Sequence, residues 1–329
     1  MSGNSARDRC FAGGVSALQK IMAGLPPRLP AAVFVTLHMP ESIRSALPQI
    51  LSRAGKIETI HAEDGLAIRP GRVYVAPPGF HLMVDRSQMR VTRGAREHGH
   101  RPAIDPLFRS AAITFGPRVI GVILSGLLDD GTIGLLEVKR AGGIAVVQDP
   151  ADTEWPSMPQ SALRNVAVDH ALPAGRLGPL LAELVGVALP ASTPQASPEV
   201  GQELELVTLH GDEGEHPGEP SPYSCPDCGG VLWESSEGDL LRFRCRVGHA
   251  YTSDTVTADQ ALTAERALWT ALRALEEQAG VKRRLGERAG RQGRAASSRQ
   301  FEARALELEA QARRVRDLLM LGVGAAPED

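Results

Sequence analysis

Apolar positions along the chain fall into two kinds of pattern. Between Leu25 and Val187, apolar segments of strand length alternate with stretches of helical spacing, and the clearest strands are Ala31–Leu37, Arg72–Ala76, Arg118–Leu124 and Gly143–Val147. A strand that reads as a continuous apolar run has to be covered on both faces, so this rhythm predicts a parallel sheet between helical layers. His81–Val84 and Met89–Thr92 flank the turn-like Asp85-Arg86-Ser87-Gln88 and predict an antiparallel hairpin. Asp105–Thr114 predicts a helix with Pro106 in its first turn, where a missing amide hydrogen costs nothing. The expected class is α/β, doubly wound, with a mostly parallel sheet and one antiparallel hairpin.

Periodicity fades between Pro190 and Pro222, where Pro, Glu, Gly and Ser dominate around the acidic run Gly211-Asp212-Glu213-Gly214-Glu215, as in a flexible linker. A short Cys and His segment follows. Beyond it Ala261, Ala264, Leu268, Leu272, Leu275 and Ala279 recur at helical spacing. Glycine and serine between Gly286 and Ser298 interrupt that run, and Leu306, Leu308, Ala312, Val315 and Leu319 begin another. A helical hairpin, or pairing with another copy, is expected. The chain therefore divides into an α/β domain over 1–190, a linker over 191–222, a small Cys/His module over 223–255 and a helical tail over 256–322.

Composition narrows the classes. A chain of 329 residues exceeds one ordinary domain, while 43% hydrophobic and 23% charged residues are those of a globular protein. A net charge of -3 argues against binding dominated by nucleic-acid phosphates. The longest apolar runs, such as Val119–Leu124, fall far short of the ~20 residues of a membrane helix, and Met1–Arg9 is polar rather than signal-like. No membrane insertion is expected, and the protein reads as cytoplasmic.

Four cysteines are too few for a disulfide scaffold, and three of them cluster. Cys225 and Cys228 form C-x2-C, and after 16 residues Cys245 and His249 form C-x3-H. That spacing brings four tetrahedral ligands to a structural Zn²⁺, with Cys10 too distant in sequence to compete. Three thiolates and a neutral imidazole would leave one negative charge, which Arg242, Arg244 and Arg246 are placed to offset. A nucleic-acid role for those arginines is weaker, because no aromatics interleave them. No cofactor for catalysis is expected.

Two polar residues follow strands where ligands bind in open α/β sheets. His38 stands directly after Leu37, and Asp130 a few residues past Leu124. Each has an ordinary reading, His38 as a loop cap and Asp129-Asp130-Gly131 as an Asp-Gly turn. Together they are an acid that can orient a base.

Several multi-residue motifs carry a resemblance. Phe11-Ala12-Gly13-Gly14-Val15, Leu37-His38-Met39-Pro40, Ala62-Glu63-Asp64-Gly65, Val75-Ala76-Pro77-Pro78, His100-Arg101-Pro102-Ala103-Ile104-Asp105, the run Gly121 to Gly131, and Met158-Pro159 resemble, in order, those of CheB-type protein-glutamate methylesterases. The resemblance implies that His38 is the general base and Asp130 the carboxylate that orients it. It further implies hydrolysis of glutamyl methyl esters on chemoreceptors, with glutamine deamidation as a related activity. A methyl-accepting chemoreceptor is then the expected partner. Residues from Tyr223 to about Leu285 resemble an extension found on some stand-alone CheB-like proteins.

The chain departs from the family in two places. The family's serine nucleophile precedes the Ala-Gly-Gly turn, where Phe11 stands here, and the polar stretch Met1–Cys10 replaces an apolar first strand. Either the domain is a binding-only adaptor, or the start or reading frame omits strand and serine. Arg101 and Asp105 are expected to form a structural ion pair at the crevice wall.

Overall fold

The computed structural model describes residues 6–41, 45–186, 218–238 and 240–321, with side chains from residue 14 onward. Among these, the α/β domain runs α1 (Ala6–Gly24), β1 (Ala32–Val35), α2 (Leu47–Ala54), β2 (Glu58–His61), β3 (Arg72–Val75), β4 (His81–Val84) and β5 (Met89–Thr92). It continues with α3 (Ile104–Phe115), β6 (Ile120–Ile123), α4 (Thr132–Arg140), β7 (Ile144–Gln148), α5 (Ser157–Asn165), β8 (His170–Leu172) and α6 (Ala174–Val185).

Alternation along the strands separates two cores. On β3, Val73 and Val75 point into a core with Ile21 and Met22 of α1, Leu51 of α2 and Leu177 of α6, while Tyr74 points into the other with Leu107, Leu135 and Ala162 of α3, α4 and α5. On β7, Val146 joins the first core, and Ala145 and Val147 the second. This is the three-layer arrangement that continuous apolar strands require. Each fully buried Leu or Ile, such as Leu51, Leu82 and Ile123, contributes roughly 1.5–3 kcal/mol. The hairpin is present as expected, with Leu82 opposite Val91 and Val84 opposite Met89.

The sheet differs from expectation. The parallel strands form two three-stranded sheets, ordered β1-β3-β2 and β6-β7-β8, instead of one. Residues 6–24 form a helix, so they supply no strand, and among the described residues β1 pairs only with β3 and β6 only with β7. Both strands pack into the same core, yet Val33 and Phe34 of β1 and Ile120 and Val122 of β6 are only half-buried, whereas β3 and β7 are largely sealed. Exposed apolar edges template association. Purified protein is expected to self-associate at micromolar concentration, and a monodisperse light-scattering profile would count against open edges.

The Cys/His module is an antiparallel sheet of β9 (Glu219–Ser224), β10 (Val231–Glu237), β11 (Leu240–Cys245) and β12 (Ala250–Thr252), in the order β12-β11-β10-β9. Glu219 and Pro220 already pair with Glu234 and Trp233, so the module begins before Tyr223 and the expected linker is shorter at that end. The remainder of the linker lies outside the described residues. Leu232, Phe243, Tyr251 and Val256 form a small core.

Contacts divide the chain into compact units of Met1–Val256 and Thr257–Asp329. The second holds most of α7 (Ser253–Arg291) and all of α8 (Ala295–Leu321), folded as an antiparallel hairpin. Leu272, Ala279, Ala305, Leu308 and Ala312 are buried, and Glu276–Arg316 and Arg283–Glu309 ion pairs join the helices. Leu306, which the periodicity assigned to the buried face, is exposed, because the buried row runs through Ala305, Leu308 and Ala312. Among the described residues no helix is long and apolar enough to cross a membrane.

Candidate active site

β1 ends three residues before His38, and β6 ends shortly before the loop that carries Asp130 into α4. Both side chains therefore emerge at carboxyl ends of parallel strands and meet, with His38 Nε2 at 2.5 Å from Asp130 Oδ2. The start of α3 grips the same carboxylate. The Ile104 amide donates to Oδ2 at 2.8 Å, and the Asp105 amide to Oδ1 at 3.2 Å, as anions at helix N-termini are held. Burial pushes the Asp130 carboxyl up, but the hydrogen bond from His38, the charges of His98 and His38 and the Ile104 amide outweigh it and hold the group well below the ordinary carboxylate range.

Asp130 is thus an ionised acceptor at neutral pH. It fixes a proton on Nε2 of His38 and leaves Nδ1 as the basic nitrogen. The imidazole stacks on His100, with centroids 3.9 Å apart and planes 9° from parallel. The His38 side chain is 19% exposed and that of Asp130 2%, so the base faces the crevice while the acid is sealed.

Gly14 of α1 lies at the same place. A Cβ there would come within 2.8 Å of Leu37 Cδ1 and 4.0 Å of the Ser125 carbonyl, so the early turns of α1 abut the carboxyl ends of β1 and β6. The side chains of Cys10 and Phe11 lie outside the described residues. The crevice wall differs from expectation, since Arg101 donates to Glu41 at 3.0 Å and to the Gly94 carbonyl at 2.6 Å, while Asp105 accepts from His98 and from the Gly134 amide. No Arg101–Asp105 pair is formed because each has a nearer partner.

The four Cys/His side chains converge. Cys225 Sγ and Cys245 Sγ lie 3.6 and 3.5 Å from His249 Nδ1, and Cys228 Sγ lies 3.6 Å from Cys245 Sγ. A tetrahedron about Zn²⁺ with its usual bond lengths has edges of about 3.5–3.8 Å, so donor set and separations both fit that ion. Two tight turns make this possible, with Gly229 at φ 74 and Gly248 at φ 98, backbone conformations that favour glycine. All four positions come from protein, which leaves none for a substrate.

Arg244 Nη1 donates to the Gly248 carbonyl beside this cluster at 3.3 Å, and Arg242 lies on the same strand. Both are buried and oriented toward Glu97 of the α/β domain, with Arg244 Nη2 at 3.8 Å from its carboxylate. Arg109 binds both Glu97 oxygens, at 2.7 and 2.9 Å. Glu97 and His98 had no signal in the sequence beyond the polar run Arg96-Glu97-His98-Gly99-His100, and Asp129 was seen only as a neighbour of Asp130.

The family model for CheB methylesterase matches residues 10–181. Protein-glutamate methylesterase/protein-glutamine glutaminase 4 of Anaeromyxobacter dehalogenans is 38% identical over 180 residues, covering 54% of this chain and 50% of its own. Protein-glutamate methylesterase/protein-glutamine glutaminase 1 of Xanthomonas euvesicatoria is 38% identical over 177 residues, with 53% and 49% covered. The chain spans about half the length of these curated relatives. The CheB methylesterase catalytic domain of Thermotoga maritima matches with a TM-score of 0.51 at 32% identity, over 53% of this chain and 94% of that one.

Proposed function

Since the chain belongs, through residues 10–181, to the CheB methylesterase family, we propose that its α/β domain acts on glutamyl methyl esters of a methyl-accepting chemoreceptor, with glutamine deamidation as a related reaction. The observation that carries this reading is the 2.5 Å hydrogen bond between His38 and Asp130 at adjoining strand ends. In ester hydrolysis the oxygen of a water molecule bonds to the ester carbon while its proton passes to Nδ1 of His38. That proton then goes to the departing methoxide, giving methanol. Asp130 holds the imidazole in one tautomer and stabilises its charged form. The ester carbon keeps the water oxygen, so glutamate and methanol are the products.

Phe11 at the family's serine position favours a second reading, a binding-only adaptor that engages methylated receptor helices. Methanol release from a methyl-esterified chemoreceptor separates the two, measured for the unaltered protein, His38→Ala and Phe11→Ser. Release by the unaltered protein that vanishes in His38→Ala supports the esterase. Release by neither of these two leaves the adaptor, whatever Phe11→Ser does.

Cys225, Cys228, Cys245 and His249 hold a structural Zn²⁺ in this proposal, and no catalytic step passes through it. The protein acts in the cytoplasm, where thiols stay reduced. Exposed Trp269, Val281, Leu306 and Leu318 on the hairpin serve self-association.

A further inference from the structure

Asp130 is backed by a buried network that runs from the α/β domain into β12 and the first turn of α7, and His98 stands at its centre. His98 has φ 54, one of two left-handed non-glycine residues among those described. Such a backbone persists only where its surroundings hold it. Here the Cys/His module holds it, because the His98 amide donates to the Ala250 carbonyl at 2.7 Å and the Ala250 amide donates to the Arg96 carbonyl at 3.3 Å.

The ring is held from both sides. Nε2 lies 2.8 Å from Asp105 Oδ2 and 3.8 Å from Asp130 Oδ1, and Nδ1 lies 3.3 Å from Thr255 Oγ1. Thr252 and Thr255 cap α7 reciprocally, since the Thr252 amide donates to Thr255 Oγ1 at 2.8 Å and the Thr255 amide to Thr252 Oγ1 at 3.3 Å. The Thr252 hydroxyl donates to Asp129 Oδ1 at 2.9 Å. With the Thr252 hydroxyl given to Asp129, the Thr255 hydroxyl has two acceptors on Thr252, its Oγ1 at 3.0 Å and its carbonyl at 3.3 Å, and donates to one of them. Thr255 Oγ1 is then an acceptor toward His98, both ring nitrogens donate, and the imidazole is a cation.

The charges agree with that protonation. Burial works against the His98 cation, but the Asp105 hydrogen bond and the charges of Asp130, Asp105 and Asp129 prevail and raise the group to about 9. Glu97, His98 and Asp105 are close enough together to hold a metal ion. Arg109 already occupies that role, bonding Glu97 at 2.7 Å and lying 4.0 Å from Asp105.

We infer that His98 is a positioning residue for the His38–Asp130 pair, and that the Cys/His module is the clamp that sets it through Thr252 and Thr255. His98 places a cation beside Oδ1 of Asp130 while Oδ2 faces His38, so the module reaches the base without touching substrate. This inference rests on the esterase reading of His38 and Asp130.

A short imidazole–carboxylate hydrogen bond gives a far-downfield proton resonance, which reports the pair without any turnover. The test is proton NMR of the full chain, with the resonance assigned by its loss in His38→Ala. Thr255→Val removes only the hydroxyl, and His98→Asn keeps a residue type at ease in the left-handed region. Both are expected to lose the resonance or move it upfield, while Thr255→Ser restores it and thermal unfolding shows each variant folded. An unchanged resonance in Thr255→Val and His98→Asn, even with lowered melting temperatures, would overturn the clamp and leave the esterase reading standing. Absence of the resonance from the unaltered protein would overturn the pair and the clamp with it.

Discussion

Removing the Zn²⁺ proposed for the Cys/His cluster is expected to unfold the module from Glu219 to Thr252 at neutral pH. Its own core consists of Leu232, Phe243, Tyr251 and Val256 beside Cys225 and Cys245, too few apolar side chains to offset the conformational entropy of four strands. Structural Zn²⁺ contributes apparent binding free energies of about 10–16 kcal/mol in small domains, and in such domains binding energy is folding energy. Without metal, the hydrogen bond from Cys245 lowers the Cys225 thiol and the same contact raises Cys245, so the two thiols do not ionise together. The proposed ligands must be deprotonated to bind, so acid and chelator act in the same direction.

The check is chelation at pH 7 followed by metal assay and circular dichroism. One equivalent of zinc released, with loss of strand signal reversed by added Zn²⁺, is the expected result. A module that keeps its sheet after complete chelation would show that the metal is not structural.

The second large effect is expected at Glu97, which joins the module to the α/β domain. Its carboxylate is 1% exposed and faces Arg109, Arg242 and Arg244. Burial pushes this carboxyl up, but the three arginines outweigh burial and hold it well below its ordinary value of 4.5. Glu97→Gln removes the buried negative charge that Arg109 bonds through both oxygens and that Arg244 faces, and removing one partner of a buried charge cluster costs about 3–5 kcal/mol. Denaturant unfolding is expected to show a loss of that size. A loss below about 1 kcal/mol would mean that water reaches the arginines.

The same network sets a pH optimum for stability. Glu97 and Asp130 have lowered folded-state values, so their contribution is present above about 4.5 and is lost as pH falls through the folded values. His98 is raised from 6.5 to about 9, so its contribution is complete below 6.5 and is lost as pH rises toward 9. Asp129 runs the opposite way to the other carboxylates, since burial raises it. For Glu97, Asp130 and His98 together the contribution in the metal-loaded protein is greatest between about 4.5 and 6.5, while burial lowers His81 and weakens its contribution as pH falls below 6.5.

Much of the framework was legible in the sequence because it is local. Apolar runs at Arg72–Ala76 and Gly143–Val147 are strands through the alternation of two buried faces, and the hairpin at 81–92 needed only its turn. The Cys/His cluster followed from spacing, since two knuckles carry their own geometry. His38 and Asp130 were named by their places after strands and by the motifs around them, and the fold brings them together across 92 residues.

Tertiary structure alone decided the rest. Whether β1 and β6 share an intervening strand depends on pairing that no local pattern encodes, and the strands lie in two separate sheets. Arg242 and Arg244 looked like counter-charges for nearby thiolates, and the fold also directs them to the buried carboxylate of Glu97 from a distant segment. The contacts of His98 with Thr255 and of Asp129 with Thr252 span 157 and 123 residues. Periodicity reports which face a side chain takes, whereas burial of ionised groups is settled only when distant segments close around them and exclude water.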